Sequence, residues 1–65
     1  MPKVIVVEET WNAYGKGSAR IAEIEQDKAV AYERADNLDI YRTICPSMVK
    51  AREALRVAQA AIEEV

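Results

Sequence analysis

The densest run of apolar positions in the chain is Val4-Ile5-Val6-Val7, all of them β-branched. Such side chains lose χ1 freedom in a helix and pack well on a pleated sheet, so the run predicts a strand from Val4 to about Trp11. It has no polar face. The strand must therefore be covered on both sides, and its backbone groups need a partner strand. Asn12-Ala13-Tyr14-Gly15-Lys16-Gly17-Ser18 follows as a turn cluster with glycines available for φ > 0. Ala19 to Glu25 then has two readings. As a helix capped by Ser18 it would carry Arg20 in its first turn, against the helix dipole. As a strand it completes a hairpin over residues 3–25, the favoured reading.

Asp27 is placed to cap a helix over residues 27–37, in which Val30, Ala31, Ala35 and Leu38 recur at helical spacing. Asp36-Asn37-Leu38-Asp39 ends it with turn-forming residues. Residues 40–45 are rich in β-formers and predict another strand, closed by Pro46, which lacks a backbone N–H. Ser47 caps a final helix over residues 47–64, where Met48, Ala51, Leu55, Ala58, Ile62 and Val65 alternate at spacings of three and four. The expected fold is a single α+β domain over residues 1–65. It has the order β-β-α-β-α, a small antiparallel sheet and a long amphipathic C-terminal helix. One N-terminal strand followed by a helical hairpin is the alternative. The seam of Met48, Ala51, Leu55, Ala58 and Ile62 suits either the chain's own sheet or an oligomer interface.

Sixty-five residues is near the lower limit for independent folding. Cys45 is the only cysteine and there is no histidine, so an internal disulfide is excluded and structural zinc is not expected as a staple. Self-association is the remaining staple, and a homo-oligomer is expected. Met1-Pro2-Lys3 leads into an apolar run too short for a signal sequence, and no stretch approaches a membrane span. A cytoplasmic protein with a reduced Cys45 and no membrane partner is expected.

Chemistry finds little to use. Histidine, the commonest general acid–base, is absent, and Asp27, Asp36 and Asp39 lack the spacing of a calcium loop. Glu8-Glu9 and Glu23/Glu25 offer at most juxtaposed carboxylates across the hairpin, with a solvated strand face as the simpler reading. The segment from Cys45 to Arg52 resembles a cysteine-phosphatase loop only superficially. Ala51 stands where that loop has its arginine, and the phosphate-wrapping glycines are missing. No enzyme, metal or cofactor is expected.

Binding is better served. Between Ile40 and Ile62 the basic residues Arg42, Lys50, Arg52 and Arg56 face Glu53 alone, whereas residues 21–39 are strongly acidic. Arg42, Lys50, Arg52 and Arg56 with the helix opening at Ser47 form a candidate site for an anion, nucleotide or nucleic acid. The simpler reading pairs the two segments with each other. Trp11, Tyr14, Lys16 and Arg20 around the hairpin turn combine aromatic and basic side chains. Protein interfaces use that combination, and so do single-stranded nucleic-acid sites.

Strand one, the turn Tyr14-Gly15-Lys16-Gly17, Arg20-Ile21-Ala22-Glu23-Ile24 and Asp27-Lys28-Ala29 resemble the ββα opening of small uncharacterised bacterial and phage proteins. That resemblance spans about Lys3 to Leu38. It implies a fold and a mobile-element origin, and no catalytic residue. The expected function is that of a non-enzymatic accessory protein that binds another macromolecule, as an inhibitor or adaptor. A nucleotide or nucleic-acid binder is the alternative.

Overall fold

The computed structural model describes residues 2–64. It contains β1 (Lys3–Trp11), β2 (Gly17–Glu25), a single 3₁₀ turn at Gln26–Lys28, β3 (Tyr32–Ala35), β4 (Leu38–Cys45) and α1 (Met48–Glu63). The strands form one antiparallel sheet in the order β2-β1-β4-β3. The β-branched run thus occupies an interior strand, with Val7 between Ile21 of β2 and Thr43 of β4.

Directly opposed residues share a face of an antiparallel sheet, so the register sorts the side chains. Ile5, Val7, Ala19, Ile21 and Cys45 face α1, whose Ala51 and Ala58 are buried against them with Ala54 and Leu55 partly buried. Alanine at the contact lets the helix approach the sheet closely. Ser47 starts α1 by accepting a hydrogen bond from the Lys50 N–H at 3.3 Å, which satisfies one orphan donor of the first turn. Of the seam, Ala51, Leu55, Ala58 and Ile62 turn toward the chain's own sheet, and Met48 is exposed. Val65 lies outside the described residues.

Val4, Val6 and Glu8 project to the other face. Because β2 and β3 are opposite edges, residues 26–31 must cross the sheet to join them. The crossing is pinned at both ends. The Gln26 N–H donates to the Pro2 carbonyl at 3.0 Å, and the Arg42 N–H donates to the Ala31 carbonyl at 2.9 Å. Val6, on this face, is fully buried.

The architecture is α+β, but its order is β-β-β-β-α in place of β-β-α-β-α. The expected helix over 27–37 is replaced by the crossing and β3, and the alternative of one strand plus a helical hairpin does not form either. The reason lies at Asp36 and Asn37, with φ of 51° and 65°. Two successive residues in the left-handed region make the two-residue hairpin turn that matches strand twist, and Ala35 pairs with Leu38 across it. That turn commits Tyr32–Ala35 to pair with β4. Likewise, the helix of the ββα opening implied by the resemblance is absent.

Candidate functional site

The β1–β2 hairpin ends in a turn whose backbone is closed from within. The Asn12 N–H donates to the Lys16 carbonyl at 2.9 Å, and the Gly15 N–H to the Asn12 carbonyl at 3.1 Å. The Asn12 side chain adds a second layer, its Oδ1 accepting from the Tyr14 and Lys16 N–H groups at 2.9 and 3.1 Å. Asparagine favours such turns because its carbonyl mimics a backbone acceptor. Gly15, at φ 78°, takes the one position there that a side chain would strain. Tyr14 stands on this frame 90% exposed, the most exposed of the large hydrophobic residues described. Lys16 is exposed beside it.

The other two hairpin candidates are elsewhere. Trp11 is partly buried, its ring over Gly17 and its indole N–H donating to Glu9 Oε2 at 3.2 Å. Arg20 belongs to a charge ladder on the face opposite α1. Its Nε and Nη2 both reach Glu8 Oε1 at 3.0 Å. From the other side, Arg42 Nε donates to Glu8 Oε2 at 2.8 Å, Nη2 to Glu33 Oε1 at 2.7 Å, and Nη1 to the Val30 carbonyl at 3.3 Å. Glu8 directly opposes Arg20 and Arg42 in the two ladders, so the sheet register itself builds the array. Glu8 therefore meets arginines. The hairpin places Glu23 opposite Ile5 and Glu25 opposite Lys3.

Burial pushes the Glu8 carboxyl up, but the hydrogen bonds from Arg42 and Arg20 outweigh it and hold the group below the ordinary glutamate value. Glu33, then Glu8, hold Arg42 protonated more firmly than usual. No buried side-chain nitrogen or oxygen among the described residues lacks a partner. The ladder ties the 26–31 crossing and β3 to the centre of the sheet, and it is satisfied without a ligand.

The anion-site residues are not brought together. Arg42 points away from α1 and is largely enclosed, with Arg42 bonding Glu33 of the acidic segment. Ser47 spends its hydroxyl on its own helix, and Lys50 pairs with Glu53 at 3.5 Å. Arg52 and Arg56 are exposed on α1, on the opposite side of the sheet from Arg42. Cys45 is 7% exposed in the core beneath α1. No cluster of three potential metal ligands occurs among the described residues, and no helix there is long and apolar enough to cross a membrane.

One exposed aromatic pair has no mark in the local sequence pattern. Tyr32 and Tyr41 oppose each other on β3 and β4, ring centroids 5.1 Å apart, on the part of the helix-side face that α1 leaves open. Tyr32 donates its hydroxyl to Asp39 Oδ1 at 2.6 Å, and that bond raises its pKa. Only the β3–β4 register, which Asp36-Asn37 encodes, could have placed these rings together.

No protein-family model, curated protein or solved structure matches the chain at a significant level.

Proposed function

We propose that the protein works by binding another protein through the tip of the β1–β2 hairpin, in the manner of an inhibitor or adaptor and without chemistry of its own. The observation that supports this is the near-complete exposure of Tyr14 on a turn closed by its own hydrogen bonds. A tyrosine loses little conformational entropy on binding, and a pre-ordered backbone removes most of the remaining ordering cost. Lys16 beside it favours an acidic rim on the partner. The nucleic-acid alternative has less behind it, because its basic residues lie on opposite faces of the sheet.

The test is capture from a host lysate with the wild-type chain and with Tyr14→Ala side by side. A protein retained by the wild type should bind the variant at least about tenfold more weakly, as expected for loss of an interface anchor. The melting temperature should stay unchanged, because the ring contributes almost nothing to the core. Equal capture by both forms would remove the tip from the interface.

A further inference from the structure

The two edges of the sheet are built differently. β3 is four residues long, the usual way of blunting an edge. β2 is nine residues long, contains neither proline nor lysine, and pairs with β1 from Gly17 to Glu25 without a bulge. Its outer backbone groups have no hydrogen-bond partner among the described residues. Such an edge is a template for one more strand.

Above that edge lies one flank of α1. At about 100° per residue, Arg52, Arg56, Gln59 and Glu63 fall on a single side of the helix, all exposed. Gln59 and Glu63 line a hollow with Gly17, Ser18 and Ala19, which places this flank on the β2 side of the molecule. The flank has positive charge toward its N-terminal end and negative charge toward its C-terminal end. Among the described residues none of Arg52, Arg56 and Glu63 makes an ion pair.

We propose that the protein forms a two-fold symmetric dimer through the outer edge of β2, with the Arg52–Glu63 flanks of the two helices antiparallel above the joined sheets. Strand and helix each admit a two-fold axis, and the two fall close together. About Ile21, β2 pairs antiparallel with β2 of a second copy, so that Ala19 opposes Glu23, Arg20 opposes Ala22, and no like charges directly face each other. The helical flank is self-complementary about a point between Val57 and Ala58. Arg52 there meets Glu63 of the second copy, and Arg56 meets Gln59. Counting back from the contact of Gln59–Glu63 with Gly17–Ala19, at about 1.5 Å per helical and 3.3 Å per strand residue, brings that point level with Ala19 and Arg20, about one and a half strand residues from Ile21.

The result is a continuous eight-stranded sheet with both helices on one face. The need for it is visible in the core, whose buried apolar residues among those described are Val6, Val7, Cys45, Ala51 and Ala58, none of them large. A small core of that kind is where oligomerisation supplies stability. The two Tyr14 tips stay free at opposite ends of the joined sheet, so this dimer stands or falls independently of the tip's role.

Sedimentation equilibrium on the full chain tests the proposal with three variants: Arg52→Glu, Glu63→Arg and the two combined. The wild type should be a dimer, and each single reversal should raise its dissociation constant about tenfold or more by placing like charges face to face. The combined variant restores opposite charges across the axis and should recover most of the affinity. Each change favours the helix dipole, so circular dichroism should show all three folded. Hydrogen exchange of the β2 amides in the wild type should slow as concentration rises through the dimerisation range. A wild-type monomer at high micromolar concentration, a combined variant no better than the singles, or β2 amides indifferent to concentration would each overturn this interface.

Discussion

The Trp11 indole lies over Gly17 at the last rung of the β1–β2 ladder, so close that a Cβ on Gly17 would come within 2.9 Å of the ring. An aromatic side chain that covers a cross-strand glycine both fills the missing side-chain volume and fixes the register at that rung. Gly17→Ala must push the ring aside. The expected loss is about 1–3 kcal/mol, as for overpacking elsewhere. Chemical denaturation followed by fluorescence reports on the contact directly, since Trp11 is the only tryptophan. An unchanged midpoint and unchanged emission would show that the ring does not need the glycine.

The Glu8 ladder makes a pH prediction. Because its pKa is lower folded than unfolded, Glu8 contributes stability that is present above the ordinary glutamate value and is lost as pH falls toward and through the folded value. Stability should therefore decline on the acid side. Glu8→Gln weakens the hydrogen bonds from both arginines and should cost about 1–3 kcal/mol at neutral pH. It should also flatten the acid limb of the stability profile. A variant with the wild-type acid limb would assign that limb to other carboxylates.

How far the fold was legible depends on how each element is specified. β1 and α1 were readable because local signals agree with burial: a β-branched run at the centre of the sheet, and a serine cap followed by a helical stripe. β3 was not. All four of its residues are exposed, so no periodicity marks them as strand, and Val30, Ala31 and Ala35 mimic a helical stripe by chance of spacing. The deciding signal is Asp36-Asn37, a pair that suits a helix end and a two-residue hairpin turn alike. At the hairpin tip, the turn signals locate Tyr14 and Lys16. Strand alternation sends Trp11 over Gly17 and Arg20 to the other face. The Glu8 ladder depends on two long-range registers and has no local signature.

The Asp36-Asn37 turn is itself testable. Asn37 tolerates its φ of 65° better than a β-branched residue does. Asn37→Val should lower stability by about 1–2 kcal/mol, whereas Asn37→Gly should leave it unchanged or raise it, since Asp-Gly is among the preferred pairs for this turn. Urea midpoints of the two variants settle the order. A valine variant as stable as the glycine one would mean that the turn relaxes to another geometry at no cost.

The last prediction uses one substitution on the two sides of α1. Ala58 is buried against the sheet and Ala60 is exposed. Alanine at residue 58, in the core cluster, lets the helix sit close to the sheet, and a leucine there would force the helix outward or shift its neighbours. Ala58→Leu should therefore cost about 1–3 kcal/mol. Ala60→Leu adds the same side chain where nothing opposes it, and leucine is nearly as good a helix former as alanine, so the change should stay within about 0.5 kcal/mol. The contrast is read from thermal unfolding below the concentration at which subunits associate. Equal effects at the two positions would mean that α1 does not pack through its alanine side, and the helix would have to be rotated on the sheet.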